Sequence, residues 1–468
     1  MAFSSFLASR HDVCKKLVNK LLNNYEYVSL LGAHVEGSTI RVTTHLSSIG
    51  DTSERQCGFV LKLFNGIIYS EYSFSDITED TLESIYHDVL CKVSLPSSLT
   101  DCHVNVKAMD DEVLVKSFER KLVGKRLSTK EIIKRLTSIK NKSDSLSSKI
   151  VQTMTMYSFY EVSKMFISKN KDLTQNYPWC AVLHYPFARE GNKMNGSMNV
   201  SSGPSVIKCF EEVEARIEET VKLSVDLLHA EMVEPGEYDI ITDPSITGLI
   251  AHEAFGHGVE MDMFVKNRAL AKDYVGKYVA SPIVDMHDGA ASCLSVASYF
   301  FDDDGVLAQD TTIIKDGILQ TGMSDALSAL QLGTKPTGNG RRESFARKAY
   351  TRMTNTWFAR GKDKLDDMIA SVKHGYLLCQ TDNGMEDPKN WNIQCVCAYG
   401  REIIDGKFTG KLVAPVCMTG YVPDLLKSIS MVSDDFVVEG FGHCGKGHKE
   451  WVTVSDGGPY LKARCKLG

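Results

Sequence analysis

The amino-acid sequence predicts an α+β fold, in which a mixed N-terminal region with long helices precedes a β-rich C-terminal domain. Several segments in the first half carry apolar residues at steps of three or four, which indicates amphipathic helices. Between them, short runs of β-branched and aromatic residues are bounded by glycines, which favours antiparallel strands. After Pro235 the helical spacing gives way to short strands and turns.

The length of 468 residues predicts two or three domains rather than one core. We expect an N-terminal α+β domain at 1–110, a largely helical central region at 111–233 and a β-rich domain at 234–468. Pro235-Gly236 ends the last long helix and marks the second boundary. The predicted helices lie at 10–23, 81–93, 127–147 and 205–232, with Ser128 or Thr129 as a cap for the third.

The C-terminal domain is predicted to consist mainly of strands. Lys315-Asp316-Gly317 separates two short apolar runs and has the composition of a tight hairpin turn. The predicted strands lie at 238–242, 311–314, 318–321, 376–380, 393–399, 411–418, 436–439 and 451–454.

Composition and charge disfavour several classes of protein. The chain has 53 Lys and Arg against 59 Asp and Glu, so it offers no basic field for nucleic acid. No apolar run approaches the roughly 20 residues that cross a bilayer, and Met1 to Lys16 lack a basic segment ahead of an apolar one. Thirteen cysteines are scattered without a disulfide-like framework. We therefore expect a cytoplasmic protein with no nucleic-acid or membrane partner.

The segment from His252 to His257 has the residue types of a hydrolytic metal site. Neutral imidazole is a favoured zinc ligand, and His252 and His257 supply two. A carboxylate beside the first ligand can act on a bound water without occupying the metal, and Glu253 has this position. The alternative is an ordinary helix with two buried histidines, and the spacing alone leaves both interpretations open.

The spacing of the two histidines requires a distorted helix. Five residues of a regular α-helix turn about 140° beyond a full circle, which is too far for both rings to meet one ion. Gly256 lies between them and can loosen the turn or admit a π-bulge. We therefore predict such a distortion at this position.

A third ligand is expected from the glycine-rich segment that follows the strand at 436–439. We favour Cys444, because the nearby Lys446 and histidines would stabilise the thiolate that zinc needs. His443 and Glu260 are competing ligands. An inert buried thiol is the alternative interpretation of Cys444.

Three motifs occur in order along the C-terminal half of the chain. They are His252-Glu253-Ala-Phe-Gly-His257-Gly-Val-Glu260-Met-Asp262, Pro336-Thr-Gly-Asn339-Gly-Arg341-Arg342-Glu343-Ser344 with Arg352-Met-Thr354-Asn355-Thr356, and Cys444-Gly-Lys446. In sequence and in order, these motifs resemble those of the TldD branch of the TldD/PmbA (TldE) zinc metallopeptidase family. The resemblance is strong after Pro235 and weak before it.

The resemblance implies a zinc peptidase with one Zn²⁺ per chain. It implies His252, His257 and Cys444 as ligands and Glu253 as the catalytic base, and we expect Glu260 and Lys446 to support them. It also implies cleavage of extended or unfolded polypeptides, and a dimer with a second copy or a TldE/PmbA-like paralogue. The chain departs from the family pattern at His448-Lys449 and after Asn383.

The substrate contacts and the function each have an alternative interpretation. Arg352, Asn355 and Asn339 are predicted to donate hydrogen bonds to a substrate, although a polar network that braces the loop is the alternative. The rival functions are a non-catalytic binding or assembly subunit with a structural zinc, and a metal-dependent amidohydrolase of small molecules.

Overall fold

The computed structural model describes residues 3–93, 107–447 and 450–468. It contains helices and strands in both halves of the chain, so the α+β class predicted from the sequence is confirmed. The elements of the N-terminal half are α1 (Ser5–Leu21), β1 (Tyr27–Val42), β2 (Ser47–Asp51), β3 (Gln56–Phe64), β4 (Tyr69–Phe74), α2 (Leu82–Lys92), β5 (Leu114–Glu119), α3 (Thr129–Leu146), β6 (Ile150–Ser168), β7 (Lys171–Glu190), β8 (Lys193–Gly196), β9 (Asn199–Gly203), α4 (Val206–Ala215) and α5 (Ile217–Asp226).

The strands of this half form one nine-stranded sheet in the order β4-β3-β1-β6-β7-β5, with β2, β8 and β9 at its margins. β1 lies between β3 and β6 and pairs antiparallel with both. Helix α1 packs on the sheet through fully buried residues, including Leu7, Leu17 and Leu21. Helices α3, α4 and α5 share a second apolar cluster with β1, β6 and β7.

The prediction of a largely helical central region is wrong. β6 and β7 fill much of residues 111–233 with strands of 19 and 20 residues. They belong to the same sheet as β1, with Leu30 opposite Ile167, so the expected division at residue 110 runs through one sheet. The long helix expected at 205–232 is two helices, because the backbone of Arg216 leaves the helical region with φ −102° and ψ 6°.

The C-terminal half is rich in strands. Its elements are β10 (Gly236–Thr242), α6 (Pro244–Leu249), α7 (Met261–Val265), β11 (Met286–Asp288), β12 (Thr311–Lys315), β13 (Ile318–Leu319), α8 (Ala326–Leu332), β14 (Gly340–Arg341), β15 (Tyr350–Thr351), β16 (Asn355–Phe358), α9 (Leu365–Ala370), β17 (His374–Asp387), β18 (Asn392–Ile404), β19 (Lys407–Val413), β20 (Val416–Tyr421), α10 (Val422–Lys427), β21 (Met431–Val432), β22 (Val437–Lys446), β23 (Glu450–Gly458) and β24 (Leu461–Leu467).

Two larger sheets organise these strands. One has the order β10-β17-β18-β20-β24-β21 with β19 beside β18, and the other has the order β13-β12-β11-β16-β23-β22. The hairpin predicted around Lys315 is present, and Asp316 and Gly317 take the positive φ values of 49° and 76° that its turn needs. Among the described strands, none pairs across residue 233. A domain boundary near residue 234 stays a prediction.

Buried ion pairs join the two halves. Lys62 and Lys164 of the N-terminal sheet pair with Asp304 and Asp303, which follow one another in the C-terminal half. Burying a charge is costly unless it is paired, so these contacts favour one arrangement of the halves.

Candidate metal centre

The helix that carries the two predicted histidine ligands changes type along its length. Asp243 caps α6 by accepting a hydrogen bond from the N–H of Ile246 at 2.8 Å. From Ile250 to Gly256 the helix is a π-helix, and the N–H of His257 donates to the carbonyl of His252. The distortion predicted from the spacing of these histidines is confirmed.

Gly256 is required where the π-helix ends. A Cβ at this position would lie 2.2 Å from the Sδ atom of Met353 and 2.8 Å from the carbonyl oxygen of Ala251. In a π-helix the hydrogen bonds join residues five apart, so such residues lie nearly above one another. The imidazole centroids of His252 and His257 are 5.2 Å apart as a result.

Cys444 reaches the same place from a distant part of the chain. It lies on β22, the edge strand of the six-stranded sheet, 187 positions after His257. The candidate ligand atoms of His252, His257 and Cys444 all lie within 4.8 Å of one another. Cys444 Sγ is 3.4 Å from His257 Nε2. A tetrahedral zinc with bonds of about 2.0 and 2.3 Å would separate a nitrogen and a sulfur ligand by roughly 3.5 Å.

The three side chains polarise one another. Burial alone would raise the pKa of the Cys444 thiol, but the imidazoles of His257 and His252 outweigh it and hold that pKa well below its ordinary value. Burial would lower the pKa of His252, but the Cys444 thiolate reverses the effect and raises this pKa to about 9. The two imidazoles thus favour the thiolate form of Cys444, which is the form that a metal ion of borderline softness prefers.

Glu253 faces the same point as the two imidazoles. Its Oε1 atom is 3.8 Å from Nε2 of His252, and its Oε2 atom is 3.7 Å from Nε2 of His257. The side chain is 21% exposed, whereas that of His252 is 3% exposed. A carboxylate in this position can reach a water molecule at the centre of the cluster and still meet solvent.

Glu260 and Lys446 support His257 from behind. Glu260 Oε2 lies 3.1 Å from Nδ1 of His257, which leaves Nε2 directed at Cys444. The ammonium group of Lys446 donates to Glu260 Oε2 at 2.9 Å and to Asp262 Oδ1 at 2.7 Å. Burial would raise the pKa of Glu260, but Lys446 and His257 outweigh it and lower that pKa. These contacts place Glu260 and Lys446 beside His257, and a supporting role for both stays a prediction.

The competing ligands lie elsewhere. His443 is next to Cys444 on β22, so the two side chains point to opposite faces of the strand. Nε2 of His443 lies 3.2 Å from Oε1 of Glu54. Glu260 is already engaged with His257 and Lys446. His448 and Lys449 lie outside the described residues. Within the described part of the chain, the convergent group of possible ligands is His252, His257 and Cys444.

The three residues predicted to bind substrate are internal. Arg352 is 1% exposed, and its terminal nitrogens donate to the backbone carbonyls of Glu450 and Cys444. Asn339 and Asn355 are fully buried and donate within the same region, Asn339 to the Asp288 carboxylate at 2.6 Å. The expectation of substrate contact is therefore corrected: these residues brace β22 and the loops beneath it.

Asp456 is a site residue that the sequence did not reveal. It lies on β23, and its Oδ2 atom is 4.0 Å from Nδ1 of His252. Burial raises the pKa of this carboxyl to about 6. Its local signal in the sequence is weak, since an acidic residue before Gly457-Gly458 is common in turns.

Comparison with known proteins defines the class of this chain. Residues 235–465 match the family described as the PmbA/TldA metallopeptidase C-terminal domain. The matched region contains both histidines, Glu253 and Cys444. The chain is a metallopeptidase by class.

Curated relatives agree with this assignment. A metalloprotease of Synechocystis sp. is 29% identical over 320 residues, which are 68% of either chain. A metalloprotease TldD homolog of Haemophilus influenzae is 35% identical over 54% of either chain. A zinc metalloprotease TldD homolog of Saccharolobus solfataricus is 30% identical over 53% of this chain and 55% of its own length. The match spans about half the length of the last two relatives. Residues 235–465 of the chain therefore belong to the TldD/PmbA family.

Solved structures share the fold. TldE from Thermococcus kodakarensis matches with a TM-score of 0.76 and 16% identity, covering 97% of this chain and all of that one. A candidate modulator of a DNA gyrase from Thermotoga maritima matches with a TM-score of 0.77 and 14% identity, covering 98% of this chain and all of that one. At these identities the likeness concerns the fold alone.

Residues 3–93, 107–447 and 450–468 include no helix with the length and apolar character needed to pass through a bilayer.

We predict that Gly256→Ala destabilises the protein. The new methyl group must displace Met353 or the π-helical turn, and overpacking of this kind costs about 1–3 kcal/mol. Urea unfolding followed by circular dichroism measures the change. Gly420→Ala is the matched control, because a Cβ at residue 420 meets no atom within 4 Å. Equal stability of the two variants would show that the turn tolerates a side chain.

Proposed function

We propose that this chain is a zinc-dependent peptidase that hydrolyses peptide bonds of extended or unfolded polypeptides. His252, His257 and Cys444 would hold one zinc ion per chain, and Glu253 would act as the general base. The observation that supports this proposal most directly is the convergence of three ligand atoms to within 4.8 Å beside the Glu253 carboxylate.

The donor set fits zinc. Two imidazole nitrogens and one thiolate are common zinc ligands, and a tetrahedral ion with three protein ligands keeps one open position. The separation of 3.4 Å between Cys444 Sγ and His257 Nε2 suits two ligands of one such ion. The Saccharolobus relative, a zinc metalloprotease homolog, supports the same metal.

Zinc bound here would lower the pKa of a water molecule and polarise the scissile carbonyl group. Glu253 would accept the proton of the attacking water, since its carboxylate faces the point on which both Nε2 atoms converge. It would then donate that proton to the leaving amine nitrogen, so that the amide C–N bond breaks and a carboxylate and an amine are released.

Among the described residues, the positions of the other candidate ligands, His443 and Glu260, favour catalysis over a structural zinc. A structural site needs a fourth protein ligand. His443 is paired with Glu54, and Glu260 is held by His257 and Lys446. The partial exposure of Glu253 also suits a site that admits substrate.

An extended substrate fits the position of Cys444 on an edge strand. β22 is the last strand of its sheet, and an added peptide strand can bond to the main chain of an edge without regard to sequence. A small-molecule amidohydrolase needs no such edge. We therefore favour polypeptide substrates over small amides.

The oligomer and its location are further parts of the proposal. The structural likeness to a TldE protein supports a partner of the same fold, either a second copy or a TldE-like paralogue. A cytoplasmic location stays a prediction from the sequence.

Glu253→Gln is predicted to lower kcat about 10²–10⁴-fold, because the amide cannot accept the proton of the attacking water. Zinc content, measured by atomic absorption, is expected to equal that of the wild type. Glu237→Gln, a change at an exposed position of β10, is the control and retains full activity. Undiminished cleavage by Glu253→Gln would remove Glu253 from the mechanism.

Cys444→Ala is predicted to lower the zinc content of the purified protein, because the site loses its anionic ligand. His443→Ala is the matched control, since it removes the neighbouring competing ligand on the opposite face of β22. It is expected to retain zinc. The reverse result, with zinc lost only from His443→Ala, would reassign the third ligand.

We predict that the enzyme distinguishes the folded and unfolded states of one substrate. Native ribonuclease should resist cleavage, whereas the same chain after reduction and alkylation should be cut, because only the unfolded chain can lie extended along a sheet edge. Mass spectrometry of the products, with and without a chelator, measures the difference. Equal rates on both states would count against recognition of extended chains.

A further inference from the structure

We propose that Asp456 is a positioning residue for His252. Its carboxylate accepts the proton on Nδ1 and thereby directs Nε2 at the metal. This inference rests on the zinc site of the proposed function, and it concerns a residue that none of the sequence motifs contains.

The two histidine ligands are supported unequally. An imidazole that binds a metal through Nε2 carries its proton on Nδ1, and that proton usually has a carboxylate or carbonyl acceptor. For His257 the acceptor is Glu260 at 3.1 Å. His252 is 3% exposed, and its Nδ1 atom has no hydrogen-bond partner among the described residues. A buried ring nitrogen of this kind needs an acceptor.

Asp456 is placed to be that acceptor. Its Oδ2 atom lies 4.0 Å from Nδ1 of His252. A charge-assisted hydrogen bond is about 2.8 Å long, so the carboxylate must move by roughly 1 Å. The side chain of Asp456 is 28% exposed, which leaves it room to move.

The approach of Asp456 depends on glycine at residue 248. A Cβ at Gly248 would lie 2.6 Å from Oδ1 of Asp456 and 2.5 Å from the backbone nitrogen of Gly457. Without that atom, α6 packs directly on β23. The helix that leads to His252 and the strand that carries Asp456 therefore come close enough for the two side chains to meet.

The test measures zinc affinity rather than turnover. Competition with a chromophoric chelator is expected to give a Kd about 10–100-fold weaker for Asp456→Ala than for the wild type, the usual effect of losing such an acceptor. Glu439→Ala is the matched control. Glu439 lies opposite Asp456 in the β22–β23 ladder and is exposed, so its removal takes away a neighbouring carboxyl group but no acceptor for His252.

A second readout separates positioning from folding. Asp456→Asn keeps the shape and one acceptor oxygen, so it should recover most of the affinity lost in Asp456→Ala. In ¹⁵N-histidine spectra of the zinc-loaded protein, the Nδ1 proton of His252 should be shifted downfield in the wild type and less so in Asp456→Asn.

The outcomes are distinct. Wild-type zinc affinity in Asp456→Ala, or an unchanged Nδ1 proton in Asp456→Asn, would overturn the role of Asp456 while leaving the zinc site intact. Equal zinc affinities of the wild type and His252→Ala would instead overturn the zinc site, and the role of Asp456 with it.

Discussion

The candidate metal centre depends on one constraint, the π-helical turn from Ile250 to Gly256. On a regular helix His252 and His257 would diverge by about 140°. The turn is possible because Gly256 has no Cβ, which would otherwise overlap Met353 and the backbone of Ala251. The position of Met353 is itself fixed, since its carbonyl accepts a hydrogen bond from Arg341 at 2.7 Å. The geometry of the two ligands thus depends on packing against a segment about a hundred residues further along the chain.

A series of oppositely charged contacts links β22, which carries Cys444, to the π-helical turn. Cys444 and Lys446 are two apart on β22 and so share a face of the strand. Cys444 meets the imidazoles, while Lys446 pairs with Glu260 and Asp262 just beyond the π-helix. Glu260 in turn holds His257. Because every buried charge in this row has a partner, shifting the register of β22 would leave several charges unpaired.

Local patterns predicted local features correctly. The helix α3 begins at Ser128 with a capping box to Glu131, and the turn around Lys315 forms the expected hairpin. The distortion near Gly256 followed from helical geometry alone. Pairing between distant strands has no comparable local signal. The strands β6 and β7 differ from the predicted helical region because they depend on long-range contacts: β6 pairs with β1, β7 pairs with β6, and α3 to α5 cover them.

The same difference between local signals and long-range contacts applies to the candidate ligands and to the residues around them. The residue types of His252, Glu253 and Cys444 suggest a metal site before any fold is known. In contrast, Arg352 and Asn355 are polar residues in a motif, which suits either substrate binding or a structural role. Only their burial shows that they brace the neighbouring backbone. Asp456 carried almost no signal, because its importance arises from the close approach of Gly248 to β23.

The β22–β23 hairpin explains how one element can serve both histidines. β22 supplies the thiolate beside His257, and its Lys446 holds Glu260 against the same ring. β23 supplies Asp456 beside His252. Since hydrogen bonds between the two strands fix Cys444 opposite Val452 and Glu439 opposite Asp456, the thiolate and the carboxylate cannot move independently over large distances.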